Sequence, residues 1–529
     1  MSLSHSTLPA GAASQSIPPR LGFRHILRGA FWNWTDFVVG AAVAFFLSPF
    51  VVHHLGNVFY GIWVLINSLV SYMALVDLGM RGTVVRFLSA DRTRGHHEEA
   101  SRVVSGALWF RLLVCIVILC GTSVACLFAT RAFHIPAETQ RAARWAILLC
   151  GASLAVSLLF GIFGGVLNAL HRFDLLSAVG ITRTALNGCG MVVLLQRGGG
   201  IVAIATWQFF VAIVTGTMQY IWALRTYPEL KLQLRIPDRE LLQRFWSYSA
   251  LLFIIAISGQ VIYYTDNIVI GAVLPITAVT LYAIGFAPTM YLQQIVSSLS
   301  VTLLPAASGL EARGDWDQLR QLLFKGTRAV MMVALPIEVA LFFRGGTFIR
   351  LWMGPSYAEP SGRVLRILLI MWFFVTANWC SGNIILGLSK HKPFAKWRIW
   401  EAIANLGLSI ALIHRLGIEG VAWGSVLPSL LVNGFLWPRY ITKTLRVPLW
   451  HYVWQSWVRP ALCVIPFAVA CFLSEKGWPA LHMWNFMTQI GCILPIFLLG
   501  FGVGYRKELI IYVSKKWPKL LFMAPGNSA

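Results

Sequence analysis

The sequence predicts an all-α membrane protein with about fourteen transmembrane helices. Of its 529 residues, 57% are hydrophobic and only 12% are charged, whereas a soluble globular chain carries about 25% charged residues. The apolar residues form continuous blocks of about twenty, the length that crosses a bilayer as a helix. Continuous blocks exclude a transmembrane β-barrel, whose strands alternate apolar and polar residues.

Fourteen such blocks follow one another along the chain, and no segment between them is long enough for a soluble domain. We assign the predicted helices to residues 31–53, 58–80, 104–128, 142–169, 175–195, 201–224, 246–273, 278–305, 327–343, 364–387, 394–414, 420–440, 459–474 and 487–504. The residues before Arg20 are small, polar and proline-containing, which is typical of a disordered tail.

Lys and Arg are distributed unevenly between the two sides of these helices. With the N-terminus inside, 31 of the 43 fall in inward segments and 10 in outward loops. Because basic loops stay in the cytoplasm, this bias predicts a multi-pass protein with both termini cytoplasmic. The basic loops then face anionic membrane lipids, so the net charge of +23 needs no nucleic-acid partner.

Signatures of metal, disulfide or nucleotide chemistry are absent from the sequence. All nine cysteines lie within apolar blocks, with no C-x-x-C pair or His cluster, so we expect buried thiols rather than a metal site. No G-x-x-x-x-G-K-[ST] phosphate loop occurs, which excludes ATP hydrolysis by that route. We therefore expect no cofactor, no metal and no catalytic residue.

An internal repeat divides the chain into two six-helix lobes. Three pairs of residues match at a constant offset of 218: Asn187 and Asn405, Arg197 and Arg415, Gly199 and Gly417. The offset spans an even number of helices, so the repeats share one orientation, and cargo should bind between them near the midplane. We expect four regions: a disordered tail (1–20), an N-lobe (21–245), a C-lobe (246–445), and two further helices with a basic cytoplasmic tail (446–529).

Five short stretches carry a family resemblance. They are YGIW (60–63), DLGMRGTVVRF (77–87), ALHRFDLLS (169–177), DNIVIGAVL (266–274) and LYAIGF (281–286). In this order and spacing, over about residues 25–510, the chain resembles the Wzx-type oligosaccharide flippases of the multidrug/oligosaccharidyl-lipid/polysaccharide (MOP) exporter superfamily.

The resemblance implies a MATE-like fold whose two lobes alternate their opening. It also implies a polyprenyl-pyrophosphate-linked oligosaccharide as cargo, moved from the inner to the outer leaflet of the cell inner membrane. Such cargo serves lipopolysaccharide or exopolysaccharide synthesis, with a polysaccharide polymerase and assembly proteins as further partners. The family's helix-7 aspartate maps onto Asp266, and its Asp-Leu-Gly…Arg element onto Asp77 and Arg86. Lipid II flippases carry arginines in helix 1, whereas no basic residue lies between Arg28 and Arg81 here, which argues against a peptidoglycan cargo.

Ionisable residues inside membrane helices are functional candidates, because each costs about 2.5–3.5 kcal/mol at a helix centre. The candidates are Asp36, Asp77, Arg111, Arg183, Asp266, Glu338 and Glu401. We predict that the two arginines, with Arg86, bind the pyrophosphate. We predict that Asp36, Asp266 and Glu338 couple transport to H⁺ or Na⁺, with Pro336 bending the helix beside Glu338.

Two of these charges have simpler interpretations. Arg111 could pair with Asp36 or extend its side chain to the inner surface. Asp77 could be a hydrated carboxylate at the interface, or a partner for Arg28 or Arg81.

Polar side chains form stripes at helical spacing on three predicted helices. A polar stripe must face the protein interior or a water-filled cavity. From these stripes we assign substrate binding to Gln260, Asn267, Tyr291, Gln294 and Asn383. Asp266 either faces the same cavity or belongs to an interior hydrogen-bond network that fixes helix packing.

The repeat also predicts a gate. At the offset of 218, Arg183 aligns with Glu401, so opposite charges at equivalent sites could meet across the inner mouth of the cavity. The local alternative is that Glu401 pairs with Arg398, three residues earlier on the same helix face.

Two other functions remain possible from the sequence. A drug/cation antiporter of the same superfamily would favour an acidic cavity, whereas Arg111 and Arg183 favour an anionic cargo. A polytopic polysaccharide polymerase or ligase would need a large outer loop with catalytic side chains. The largest predicted outer loop, 344–362, has two arginines, one glutamate and no histidine.

Overall fold

The computed structural model describes residues 23–77, 80–93, 95–233, 257–300 and 303–506, and within these ranges it contains helices and no strand. In chain order the helices are α1 (Phe23–Met73), α2 (Met80–Thr93), α3 (His97–Ala132), α4 (Gln140–Ala169), α5 (Phe173–Gln196), α6 (Ile201–Thr226), α7 (257–273), α8 (Ile276–Ser300), α9 (Leu303–Ala312), α10 (Trp316–Met353), α11 (Pro355–Gly387), α12 (Lys392–Leu416), α13 (Ile418–Leu431), α14 (Trp437–Leu445), α15 (Leu449–Val453), α16 (Arg459–Gly477) and α17 (Met483–Gly504). The prediction of an all-α chain is confirmed.

Helix α1 consists of two arms that double back on each other. Gly56 adopts φ 73° and ψ 169°, which lie outside the helical region. Ala44 and Ser68, twelve positions before and after it, line the same cavity, although in a straight helix they would be about 36 Å apart. The first arm, before Gly56, and the second arm, after it, therefore correspond to two separate predicted helices.

Twelve segments of the described ranges are long and apolar enough to cross a membrane. The first of them, Val38–Asp77, contains both arms of α1. The described part of α7 is a further apolar helix, too short to be counted among the twelve. With the two arms counted separately and α7 added, the structure agrees with the fourteen predicted helices.

The predicted repeat is confirmed by two equivalent turns. After α4, the N–H groups of residues 170–172 donate back into the end of the helix, and after α11 those of residues 388–390 make the same three bonds, 218 positions later. The central residues, His171 and Ser389, adopt φ values of 56° and 54°. Because a positive φ is uncommon for residues other than glycine, this match identifies the two halves as repeats of one fold.

Helix packing follows the same pattern in both halves. In the N-lobe (α1–α6), α4 packs against α3 and α6, and in the C-lobe (α7–α14), α11 packs against α10 and α13. Helix α2 packs on α3 and α4 as α9 packs on α10 and α11. The lobes meet where α1 packs against α8, while α16 and α17 pack on each other and on α10.

The prediction of an outer loop at residues 344–362 is wrong. Helix α10 continues to Met353 and α11 begins at Pro355, so that Gly354, with φ 113°, alone separates the two helices. Pro336 lies inside α10 without interrupting it. Apolar residues follow Arg344 as far as Met353, and they continue the helix through the two glycines at 345 and 346.

Candidate functional site

A cavity of about 280 Å³ lies between the two lobes. Both arms of α1 and helix α5 line it from the N-lobe, and α7 lines it from the C-lobe. The lining residues described here include no charged side chain. Its polar and aromatic members are Ser48, Tyr60, Trp63, Asn67, Ser68, Tyr264 and Asn267.

Three residues predicted to bind substrate connect the lobes around this cavity. The Nδ2 of Asn267 donates to Ser68 Oγ at 3.1 Å. The hydroxyl of Tyr291 lies 3.4 Å from Ser48 Oγ. Gln260 contributes its backbone carbonyl, which accepts a hydrogen bond from the second arm of α1 at 3.3 Å. The structure therefore places one predicted residue, Asn267, in the cavity wall and two at contacts between the lobes.

Asp266 points into the C-lobe, where it joins an interior network. Its Oδ2 accepts hydrogen bonds from Tyr282 on α8, at 2.5 Å, and from Ser425 on α13, at 2.8 Å. Ser425 Oγ in turn accepts a bond from Asn405 Nδ2 on α12, at 2.7 Å. Asp266 is only 2% exposed. Of the two interpretations from the sequence, the structure contains the interior hydrogen-bond network.

This network leaves acceptor oxygens unsatisfied. Among the described residues, Asp266 Oδ1 and Asn405 Oδ1 are buried and accept no hydrogen bond. Ser409 Oγ lies beside this network. It is 3.4 Å from the carbonyl oxygen of Val421, and Ser425 Oγ is 3.4 Å from the same oxygen. A buried unsatisfied acceptor costs about 1–3 kcal/mol. A proton on the carboxyl group, or a small cation held by these oxygens, would satisfy them.

Glu338 is a second buried carboxyl group of the C-lobe. Its Oε1 accepts a hydrogen bond from Thr376 Oγ1 on α11 at 2.7 Å, and its Oε2 is buried with no donor among the described residues. The side chain is 4% exposed. Glu338 is therefore bonded to a neighbouring hydroxyl, and it retains one free acceptor position.

Arg111 forms a buried ion pair with Asp77. Its Nε lies 2.9 Å from Asp77 Oδ1, and its Nη2 donates to Oδ2 at 3.1 Å. Its Nη1 also donates to the carbonyl of Leu158. Arg111 is 1% exposed, so the interpretation that it extends to the inner surface is wrong. The side chain of Asp36, its other suggested partner, lies outside the described residues.

The predicted gate between Arg183 and Glu401 is not present in this structure. Glu401 is buried and pairs with Arg398 on α12, at 3.1 Å. Arg183 is exposed on α5 and forms no ion pair with the part of the chain that the structure describes. The local pair forms because residues three apart are always neighbours on one helix, whereas the gate would need the two lobes to meet.

Three predicted substrate-binding residues lie apart from the described cavity. Arg86 and Gln294 are exposed, on α2 and α8. Asn383 is half-buried on α11, where its Nδ2 donates to the carbonyl of Trp379 at 3.2 Å. None of the three is among the residues that line the cavity.

A buried ionic site that was not predicted from the sequence links α10 to α16 and α17. Arg344 is fully buried, with its Nε 3.1 Å from Glu475 Oε2 on α16. Its Nη2 donates to Gln489 Oε1 on α17 at 2.7 Å. The apolar residues that continue the helix to Met353 were the overlooked signal, because they place Arg344 inside a helix rather than in a loop.

Two solved structures share the fold of this protein. The chain resembles the lipid II flippase MurJ in its inward closed conformation, with a TM-score of 0.69 and 13% identity, over 91% of this chain and 100% of that one. It also resembles an inward-facing multidrug resistance MATE family transporter of the MOP superfamily, with a TM-score of 0.64 and 14% identity, over 78% and 95% of the two chains. At these identities the likeness shows the fold alone: the chain is a multi-pass membrane protein with the MOP-superfamily fold.

The family follows from the sequence comparison. A family model described as "Polysaccharide biosynthesis protein" matches residues 55–361, more than half of the chain, so the protein belongs to this family. Three relatives are similar over most of the chain. They are the uncharacterized membrane protein EpsK of Bacillus subtilis (21% identical; 78% of this chain, 82% of that one), a putative O-antigen transporter of Shigella flexneri (19%; 75% and 93%) and the probable flippase AglR of Haloferax volcanii (21%; 78% and 82%).

Proposed function

We propose that this protein flips a polyprenyl-pyrophosphate-linked oligosaccharide from the inner to the outer leaflet of the cell membrane. Its membership of a polysaccharide biosynthesis family supports this function, as do relatives named as an O-antigen transporter and a flippase. The two repeated lobes supply the architecture for alternating access, with cargo bound between them. The proposed lobe boundaries are 21–245 and 246–445, with both termini in the cytoplasm.

The lining of the cavity between the lobes carries this proposal. Asn67, Asn267 and Ser68 offer amide and hydroxyl groups, which can both donate and accept hydrogen bonds, as sugar hydroxyls require. Trp63 and Tyr264 offer aromatic faces beside them. A few polar groups in a largely apolar pocket are typical of a site that orients a small ligand.

The pyrophosphate needs cations, and Arg183 is the strongest candidate. Residues 183, 187 and 191 recur at i, i+4 and i+8 on α5, so they lie along one side of the helix. Met191 lines the cavity, and Arg183 lies about 12 Å from it along the helix axis, toward the cytoplasm in the proposed topology. Arg86, exposed on α2, is a second candidate. Arg111 is a weaker one, because Asp77 already compensates its charge.

Coupling to an ion is proposed at Asp266. A proton or a sodium ion would satisfy the buried oxygens of Asp266 and Asn405 that accept no hydrogen bond within the described residues, and the Ser409 hydroxyl is within reach of the same carboxyl group. The network around them joins α7, α8, α12 and α13, so binding of the ion would change how four helices pack. Glu338 offers a second such position between α10 and α11.

Deletion of the gene, with analysis of membrane lipids and surface glycan, tests the function. We expect the lipid-linked oligosaccharide to accumulate on the inner leaflet and the surface glycan to be lost. Complementation with the parent should reverse both effects, whereas Asn267→Ala should reverse them only in part. Unchanged lipids and surface glycan in the deletion strain, with raised sensitivity to cationic drugs, would instead favour the antiporter.

A further inference from the structure

Pro49 deprives one carbonyl in the first arm of α1 of its helical partner. In an α-helix each carbonyl accepts a hydrogen bond from the N–H four residues later, and proline has no N–H. The carbonyl affected is that of Phe45. In the structure this carbonyl accepts a bond from the indole Nε1 of Trp352, at 2.9 Å. Trp352 belongs to α10, so a gap in the backbone bonding of the N-lobe is filled by a side chain of the C-lobe.

Aromatic contacts fix the ring of Trp352 in this position. It stacks on Phe45, with ring centroids 5.3 Å apart, and on Phe348, with centroids 5.5 Å apart. Tyr291 meets it edge-on at 6.2 Å. Trp352 is only 6% exposed. Because Phe45 belongs to the N-lobe and the other rings to the C-lobe, separating the lobes here breaks both the hydrogen bond and one stacked pair.

Other bonds between the lobes lie near the Gly56 turn. Asn57 accepts a hydrogen bond from the hydroxyl of Tyr357 through its side chain, and one from Thr280 Oγ1 at 2.7 Å through its carbonyl. In the proposed topology this turn faces the outside. The contacts around Trp352 therefore close the outer end of the space between the lobes.

We propose that Trp352, Phe45 and Pro49 form an outer latch, which holds the outer ends of the two lobes together until they part to release cargo on the outer side. Pro49 supplies a carbonyl that its own helix cannot satisfy, and Trp352 supplies the donor. When the lobes part, water can satisfy both groups, so breaking the bond shifts the ratio of closed to open states only about fivefold (about 1 kcal/mol). This inference rests on the proposed alternating-access function and assigns its outer contact to particular residues.

Thiol labelling from outside intact cells tests the latch. The reporter is Ala44→Cys, which lines the cavity, in a background where the exposed Cys120, Cys189 and Cys492 are replaced by serine. A membrane-impermeant maleimide should label it about fivefold faster in Trp352→Phe, which keeps an aromatic ring but removes the N–H.

Two further variants separate the hydrogen bond from other effects. Pro49→Ala gives the Phe45 carbonyl a helical donor, so it should accelerate labelling similarly, and combining it with Trp352→Phe should add little. Trp484→Phe is the matched control: Trp484 is 81% exposed, and its replacement should leave the rate unchanged. Size-exclusion chromatography of each variant verifies that it is folded.

Parent-like labelling rates in both Trp352→Phe and Pro49→Ala would overturn the latch, as would fully additive effects in the double variant. Labelling is measured without reference to any glycan. If the cargo assignment is wrong, the lipid analysis of the deletion strain will show it. The labelling rates will still test the latch independently.

Discussion

Removing Asp77 should destabilise this protein more than removing its partner Arg111. The side chain of Arg111 is 2% exposed and that of Asp77 is 16% exposed. Asp77→Leu would leave a buried guanidinium without its carboxylate, and breaking a buried pair in this way costs about 3–5 kcal/mol. Arg111→Met would leave a carboxylate that can still reach water, so we expect a cost of about 1–3 kcal/mol. Replacing both residues removes both charges, and the double variant should recover most of the loss.

Thermal unfolding of the detergent-solubilised protein provides the assay. The surface pair of Arg320 and Asp317 is the matched control, because their side chains are 33% and 86% exposed and such pairs contribute about 0–1 kcal/mol. The explanation fails if Asp77→Leu unfolds no earlier than Asp317→Leu, or if the double variant is as unstable as Asp77→Leu. Glycan export by the stable double variant would show that Arg111 has a structural role, whereas loss of export would support the cargo-binding role predicted from the sequence.

Three other variants test the site, the appended helices and the topology. Asp266→Asn should abolish export while leaving expression and folding intact, because it removes the charge that a coupling ion needs; full export would exclude Asp266 from coupling. Arg344→Met leaves Glu475 without its partner, but that carboxylate is 31% exposed and can reach water, so the change should cost about 1–3 kcal/mol in a thermal unfolding assay, whereas the exposed Lys476→Met should cost nothing measurable. A cysteine at Ser356 should react with impermeant maleimide from outside and one at His96 only after permeabilisation; labelling of both from outside would refute the proposed orientation.

The sequence was sufficient to predict the helices and the repeat, because both depend on local features. Apolar blocks determine where a helix can cross a membrane. The turn at His171 recurs at Ser389 with the same backbone bonds, and residues in the helices that follow both turns, such as Asn187 and Asn405, already matched at the offset of 218. Gly56 could also be located, since it falls between two apolar blocks.

The contacts made by the intramembrane charges could not be predicted from spacing alone. Spacing gives the depth of a residue along a helix but not the direction of its side chain relative to other helices. Asp266 and Asn267 are adjacent, yet one joins a network inside the C-lobe and the other lines the cavity. Arg111 likewise finds its partner, Asp77, in the short turn that follows α1. Such partners depend on how the helices pack.

Flipping by the purified protein in vesicles is the most direct test of the proposed function. Vesicles containing a fluorescent polyprenyl-pyrophosphate oligosaccharide would be treated from outside with an impermeant reagent that destroys the label. With the protein present, and with a gradient of H⁺ or Na⁺, we predict that the label in both leaflets becomes accessible, and that Asp266→Asn vesicles lose only the outer-leaflet fraction. If vesicles with the parent protein also lose only the outer-leaflet fraction under every gradient, the protein is not a flippase for this class of lipid.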